Sequence, residues 1–307
     1  MSAPIAIFGY NRPAHLKAML GSLFRCRGID DAPLVIFSDG PRGDQDRGAV
    51  QAVRAILAEL PRGRVELVLA EQNKGLKQSI CDGVSAVTAR YGRAIVLEDD
   101  LILSPAALDY FNAALDRYAS EPRVWSVSGY VHDVPALSHR DRAFFLPFAQ
   151  PWGWATWDRA WCRFDPQKPV PDALLASPAF RQAFSANGIS DYATMLKMAR
   201  DGQISSWFVR WYFAMFSEGG LSLFPPATLV GNRGVSGGSG SHGGRFNPYD
   251  LLVKPILPCD RTFQLPDEVA VDFQALDAIP RCWEASVLRF NHRAGAIKRR
   301  VLRTRAR

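Results

Sequence analysis

Short apolar runs recur along the first half of the chain at Ile5–Phe8, Leu34–Phe37, Val65–Leu69, Ala94–Leu97 and Val124–Val127. Between them lie stretches with helical character at about 13–25, 44–60, 75–91 and 104–119. The runs are nearly continuous rather than alternating, which predicts strands buried on both faces. Strands of that kind, each followed by a helix, predict an α/β fold with a mostly parallel sheet flanked by helices. In such sheets ligands bind beyond the carboxyl ends of the strands. Those positions are Gly9-Tyr10-Asn11-Arg12-Pro13, Ser38-Asp39-Gly40, Glu71-Gln72-Asn73-Lys74-Gly75-Leu76 and Glu98-Asp99-Asp100. Turns are polar in any case, but four polar or acidic turns on one edge point to a site.

The second half is less regular. Residues 131–205 carry seven prolines, with Trp152, Trp154, Trp157 and Trp161 among them. A helix is expected over about 205–217, then a short strand at Leu221–Phe224 and the segment Val230–Arg233. A Gly/Ser-rich loop follows over 234–244. The expected division is a ligand-binding α/β half (1–130), a second half that carries the loop (131–283), and a tail (284–307).

Charge changes this picture only at the tail. The net charge of +7 arises from seven Lys and Arg residues within 293–307, a stretch without an acid; the other 30 basic residues equal the 30 acidic ones. The body is therefore not a nucleic-acid binder. With Val287, Leu288, Phe290, Ile297, Val301 and Leu302 interspersed, the tail reads either as a basic amphipathic helix for an anionic membrane surface or as a solvated terminus. No run of about 18 apolar residues occurs, and the first residues lack the pattern of a secretory signal. The five cysteines form no CxxC pair. A cytoplasmic protein is expected, peripheral on the inner face of the membrane if the tail binds there.

The acidic turn carries the strongest chemistry. Three adjacent carboxylates at the end of a buried strand repel one another, and a bound divalent ion compensates them. Mn²⁺ or Mg²⁺ suits a site with few carboxylates and a substrate diphosphate. The competing reading makes Asp99 or Asp100 a cap for the helix that starts near Ser104.

Val96-Leu97-Glu98-Asp99-Asp100-Leu101, followed by Asp109-Tyr110-Phe111, resembles the cation-binding segment of N-acetylglucosaminyltransferase I and its bacterial relatives. Phe144-Phe145-Leu146-Pro147, leading to Trp152-Gly153-Trp154, is similar to that family's Gly-Trp region. The order Ser205-Ser206-Trp207, Arg210-Trp211, Leu221 to Pro225, then Gly231-Asn232 to Gly240-Ser241-His242 resembles the bacterial branch. The similarity covers about residues 4–245. It implies a GT-A-like, Rossmann-type sheet with an irregular C-terminal acceptor lobe, a nucleoside-diphosphate sugar donor (a UDP-sugar favoured) and a Mn²⁺-type ion held by Asp100. The implied activity is a metal-dependent, inverting glycosyltransferase of hexosyl or N-acetylhexosaminyl type. Its acceptor would be a glycan or lipid-linked hydroxyl, as in polysaccharide biosynthesis.

On this reading Glu98 and Asp99 lie on the donor side, Asp39 accepts from a uracil or ribose, and Arg12 forks a phosphate or a base carbonyl. Asn73 and Lys74, at a helix start, lie beneath the nucleotide. In the Gly/Ser loop Ser241 and the backbone cradle the diphosphate, while His242 completes the metal's coordination. Each has a plainer reading: turn residue, helix start or linker. The tryptophans stack either on sugar faces or in a core. The family places an acid beside a Trp on the acceptor-side helix, but Trp207 is followed by Phe208 and Val209. Asp191, Asp158 and then Glu218 are the substitutes for the catalytic base. Two other readings stand beside this one: a catalytically inactive glycan-binding or scaffold protein, and a sugar nucleotidyltransferase. The last is disfavoured because Gly9-Tyr10-Asn11-Arg12 makes a poor phosphate loop, and a dinucleotide oxidoreductase is disfavoured because no GxGxxG follows the first run.

Overall fold

A computed structural model describes residues 2–61, 63–234 and 259–280. The element order is β1 (Ile5–Gly9), α1 (Pro13–Leu23), β2 (Leu34–Ser38), α2 (Asp44–Ala58), β3 (Val65–Leu69), α3 (Leu76–Tyr91), β4 (Arg93–Glu98) and β5 (Leu101–Leu103). Next come α4 (Ala107–Arg117), β6 (Val124–Ser128), β7 (Phe144–Leu146), β8 (Trp154–Trp157), α5 (Asp158–Trp161), α6 (Asp172–Ala176) and α7 (Pro178–Phe184). Then follow α8 (Tyr192–Arg200), α9 (Phe208–Ser217), β9 (Leu221–Phe224) and β10 (Val230–Asn232), with a further helix over 273–280.

Eight strands form one sheet in the order β3-β2-β1-β4-β8-β6-β9-β7, and β10 pairs with β5 in a separate ribbon. β1 to β4 are mutually parallel. β8 runs against both β4 and β6, and β7 against β9. Six of the eight strands therefore point the same way, giving the expected α/β architecture with a mostly parallel sheet. The sheet runs unbroken across residue 130.

Alternate residues of the central strands feed two cores, as the two-residue period of a strand requires. Ile5, Ile7, Ile36, Ile95 and Leu97 face α1, α2 and α4 through Leu16, Leu20, Val53, Phe111 and Leu115. Ala6, Phe8, Val35, Ala94 and Val96 face α3, α5 and α9 through Ile80, Val84, Val87, Trp161 and Trp211. Each such side chain contributes about 1.5–3 kcal/mol when fully buried. Pro13 starts α1, where its missing N–H costs nothing.

The tryptophans divide. Trp154 stacks on Trp207 at 5.4 Å and lies 5.7 Å from Trp161 and 5.8 Å from Trp211. Trp157 and Trp161 are buried too, their indole N–H groups donating to Leu115 O and Ser85 Oγ. These three belong to the core, whereas Trp152 stays half-buried.

The two outer strands of the sheet differ. Along β7 the chain over 259–272 runs as a strap: Ala143 N donates to Gln264 O, and Asp272 N to Phe145 O. Tyr118 Oη and Arg117 Nε both donate to Pro266 O, fastening the strap to α4. β3 has no such cover among the described residues, and Leu67, Val68 and Leu69 are 37–46% exposed. No described helix is long and apolar enough to cross a membrane.

Candidate active site

Moving from β1 to β2 and from β1 to β4, the chain turns in opposite directions along the sheet, so a crevice opens beyond the carboxyl end of β1. Three turns meet there: Tyr10–Arg12 after β1, Asp39–Gly40 after β2, and Asp99–Asp100 after β4.

The acidic turn is drawn inward. Tyr10 N donates to Asp99 Oδ2 at 3.2 Å, and Arg12 Nη1 pairs with Asp100 Oδ2 at 3.1 Å. The other oxygen of Asp100, Oδ1, is buried and meets no protein donor among the described residues. Burial, together with the charges of Asp100 and Asp99, pushes Glu98 well above the usual carboxylate range. Burial and the charge of Asp100 lift Asp99 to about 6. Burial also raises Asp100, against the lowering influence of Arg12 and His15. Three carboxyls that resist ionisation side by side form a place where positive charge is missing.

The helix-cap reading fails. β5 separates the acids from α4, and Ser104 supplies the helix start, its Oγ accepting from Ala106 N at 3.0 Å. β10 then lies against β5 and carries the chain back over the turn, with Arg233 N donating to Asp100 O at 2.8 Å. Gly234 packs so closely that a Cβ there would overlap Asp100 Oδ2. The first residue of the Gly/Ser-rich stretch thus rests on Asp100. The rest of that stretch, with Ser241 and His242, lies outside the described residues, as does the basic tail 284–307.

Asp39 has a different place from the one expected. Its Oδ1 accepts from Gly40 N and Lys74 N, both at 2.8 Å, and its Oδ2 accepts from Asn73 Nδ2 at 3.0 Å and Gly75 N at 2.9 Å. Four donors from within the chain fill a carboxylate that is only 8% exposed. Asp39 is therefore the knot tying the turn after β2 to the turn after β3, which leaves little of it for a uracil or ribose. Asn73 and Lys74 help to make the knot, and the Lys74 ammonium pairs with Asp82 at 3.1 Å. Gly75 takes φ +77°, a left-handed conformation that suits glycine, as it leads into α3. Gly40 lies so near the facing turn that a Cβ would stand 2.5 Å from Gln72 C.

Of the three substitutes for the catalytic base, two are on the wrong side. Asp158 follows Trp157, which pairs with Arg93 at the start of β4, and Asp158 N donates to Gly92 O. It therefore stands at the opposite end of the strand from Glu98, about 17 Å away. Glu218 precedes Leu221, which pairs with Val124 at the start of β6, and it bonds to Arg163; it belongs to that same far end. Asp191 caps α8, accepting from Thr194 N at 3.1 Å with Arg181 at 3.6 Å, and its side chain is 63% exposed.

Sequence reading missed two groups. Asp46, in the first turn of α2, accepts from Tyr10 Oη at 2.6 Å and Asn11 Nδ2 at 3.2 Å, fixing the loop after β1. Beyond β6, the fifth strand of the regular series, stand Tyr130 and His132, with Tyr130 Oη 3.2 Å from His132 Nδ1 and Gln150 Nε2 3.4 Å from His132 Nε2. Burial pushes His132 down to about 4, so its ring is neutral near pH 7. The carboxyl-end rule that selected the other turns also selects Gly129–Asp133.

No protein-family model matches the chain, and no curated protein matches it. Among solved structures, the fold is similar to that of GalNAc-T7, crystallised with UDP, GalNAc and Mn²⁺, at 10% identity and a TM-score of 0.47, over 75% of this chain and 44% of that one. It is also similar to the mannosyltransferase PcManGT from Pyrobaculum calidifontis, in complex with GDP-Man and Mn²⁺, at 13% identity and a TM-score of 0.38, over 71% and 70%. The chain spans less than half the length of GalNAc-T7. Both scores are low, and the reading of the site stands on its own geometry.

That geometry suits a small divalent cation of the Mg²⁺ or Mn²⁺ kind, which takes one or two carboxylates and fills its remaining positions with phosphate oxygens and water. Asp100, whose Oδ1 has no protein donor among the described residues, and Asp99 beside it are the residues that would hold such an ion. Among the described residues no group of three or more His, Cys, Asp or Glu side chains is placed to hold a metal ion.

Proposed function

We propose that the chain is a divalent-cation-dependent glycosyltransferase of GT-A type. On this reading it moves a sugar from a nucleoside-diphosphate donor, a UDP-sugar favoured, to a glycan or lipid-linked hydroxyl. The observation that carries the proposal is the buried, unpartnered Asp100 Oδ1 at the crevice beyond β1, with Arg12 on one side and Gly234 on the other. A cation held by Asp99 and Asp100 supplies compensation for negative charge on the departing diphosphate.

The chain's own groups do the rest. Arg12 sets the orientation of Asp100 and adds a fixed positive charge beside the diphosphate position. Tyr10, anchored through Asp46, turns its backbone N–H on to Asp99 and fixes the first loop. The Asp39 knot keeps the turns after β2 and β3 rigid, so the donor meets preorganised backbone. Ser241 and His242 keep in this proposal the roles expected of them from the sequence, at the diphosphate and the cation. Asp191 is the proposed base for the acceptor hydroxyl. Inversion of the anomeric centre and a membrane-surface role for the basic tail complete the proposal.

The test is UDP release from a panel of UDP-sugars, with and without Mn²⁺, for the wild-type protein and Asp100→Ala. Release that depends on both the ion and Asp100 supports the reading; turnover indifferent to both rejects it. The displacement of Asp158 and Glu218 to the far end of the sheet favours one second reading, a glycan-binding protein without turnover. Glycan binding with no UDP release across the panel would select it.

A further inference from the structure

We infer that Trp152, backed by Tyr130, His132 and Gln150, is the platform on which the acceptor sugar rests. The word acceptor depends on the glycosyl-transfer reading; the existence of a sugar platform does not.

Position comes first. Trp154 pairs with Val96 on the antiparallel β8–β4 ladder, and Trp152 lies two residues earlier, on the side toward Glu98. The chain thus enters β8 from the edge where the acidic turn lies. Trp154 also pairs with Ser128, so Tyr130 leaves β6 at the same level. Two strand spacings separate β6 from β4, about 10 Å. One wall links the two places. Val230 fills the space where Gly129 and Gly153 would carry a Cβ, at 2.6 and 2.9 Å, and four residues later the same stretch rests on Asp100. Platform and acidic turn therefore stand on opposite ends of β10.

Construction comes second. Of the four tryptophans in the 152–161 stretch, Trp152 alone is half-buried, packed against the core from outside, while Trp154, Trp157 and Trp161 close into it. Its ring is held by the Tyr130 ring, edge-on at 4.6 Å and 70°. The Tyr130 ring is itself buried and lies edge-on to His132 at 5.3 Å. Gln150 Nε2 lies 3.4 Å from His132 Nε2 and Tyr130 Oη 3.2 Å from His132 Nδ1, so both ring nitrogens are engaged within the chain. Gly153 takes φ +63° with Val230 against it, which fixes the backbone that aims Trp152.

Chemistry comes third. A pyranose offers a flat C–H face and a rim of hydroxyls. An indole face answers the first, and the phenol, imidazole and amide behind it, bonded to one another, hold that indole in place. Those three groups carry no charge near pH 7, which suits a neutral sugar better than a phosphate or a carboxylate.

The experiment is saturation-transfer NMR with methyl glycosides of glucose, galactose, mannose and N-acetylglucosamine, together with maltose, lactose and N,N′-diacetylchitobiose. The proteins are wild type, Trp152→Ala and Trp152→Phe, each checked by thermal unfolding. Calorimetric binding of UDP with Mn²⁺ is measured on the same samples. At least one sugar is expected to bind, weakened about tenfold in Trp152→Ala and within about threefold of wild type in Trp152→Phe. UDP binding is expected to be unchanged in both. Sugar binding that is undiminished in Trp152→Ala, or no sugar bound by wild type, overturns the inference. Loss of sugar and UDP binding together in a folded Trp152→Ala also overturns it, since Trp152 would then serve the donor site. If no variant binds UDP while sugar binding still follows Trp152, the platform stands and the transfer reading falls.

Discussion

β2 and β4 each end in acid on the same edge of the sheet, and the fold treats the two ends in opposite ways. Asp39 is ringed by four donors from its own chain. Asp100 keeps one oxygen without a protein donor and shares its turn with two more acids. An acidic residue beyond a strand is thus not in itself a ligand. What distinguishes the two is how much of each carboxylate the described residues already use, and on the proposed function the chemistry lies at β4 and the scaffolding at β2.

The sharpest way to break this contrast is to remove both acids in turn. Asp39→Ala leaves the amides of Gly40, Lys74 and Gly75 facing an apolar methyl, which costs about 3 kcal/mol or more. For a chain of this size that lowers the unfolding temperature by about 6–12 °C. Asp100→Ala is expected to melt within about 1 kcal/mol of the parent, yet to lose about a hundredfold or more of its Mn²⁺-dependent UDP release. Calorimetry and the release assay together decide the matter; a reversed pattern would exchange the roles assigned to the two turns.

Two glycines offer a finer version. A methyl at Gly40 strikes the backbone of Gln72, so Gly40→Ala is expected to cost about 2–3 kcal/mol in denaturant unfolding. A methyl at Gly234 strikes the Asp100 carboxylate instead. Gly234→Ala is expected to cost only about 1 kcal/mol but to weaken Mn²⁺ binding about tenfold, read by titration calorimetry.

Acidity supplies a third test. Asp99, raised to about 6, is favoured in its protonated form by the folded state. Its contribution to stability is present below the unfolded value of about 3.9 and is lost as the pH rises through about 6. A cation reverses that preference by claiming the carboxylate, and below about pH 6 it must first displace the proton. The rise in unfolding temperature produced by Mn²⁺ is therefore expected to be larger at pH 7.5 than at pH 5, and equal shifts would speak against Asp99 and Asp100 as donors. The smallest effect is expected at the far end of the sheet, where Asp158→Asn and Glu218→Gln should change UDP release by less than about twofold.

Much of the first half is legible in the sequence because most of its strands are buried on both faces and written as plain apolar runs. β1, β2, β4 and β6 follow Ile5–Phe8, Leu34–Phe37, Ala94–Leu97 and Val124–Val127 to within a residue or two. Val65–Leu69 is also a strand, but an outer one, and its exposed side chains show that an apolar run reports strand propensity more faithfully than burial. β8 is hidden because Trp154-Ala155-Thr156-Trp157 has no apolar run, although it inserts between β4 and β6. That insertion is what carries Asp158 to the wrong end, since a reversed strand delivers its following residue to the opposite edge. The acidic turn could be read from the clustering of like charge. The filling of Asp39 could not, because three of its four donors are backbone amides, those of Gly40, Lys74 and Gly75, and backbone amides leave no mark on composition.

The strap over 259–272 has a consequence for how copies of the molecule can meet. A sheet with two bare flanks can be extended indefinitely, copy upon copy, into a ribbon. Here the β7 flank already carries its own chain, so only the β3 flank offers free backbone among the described residues. Two copies that met edge to edge along that flank would close into a pair, with the strap leaving no bare β7 flank for a third.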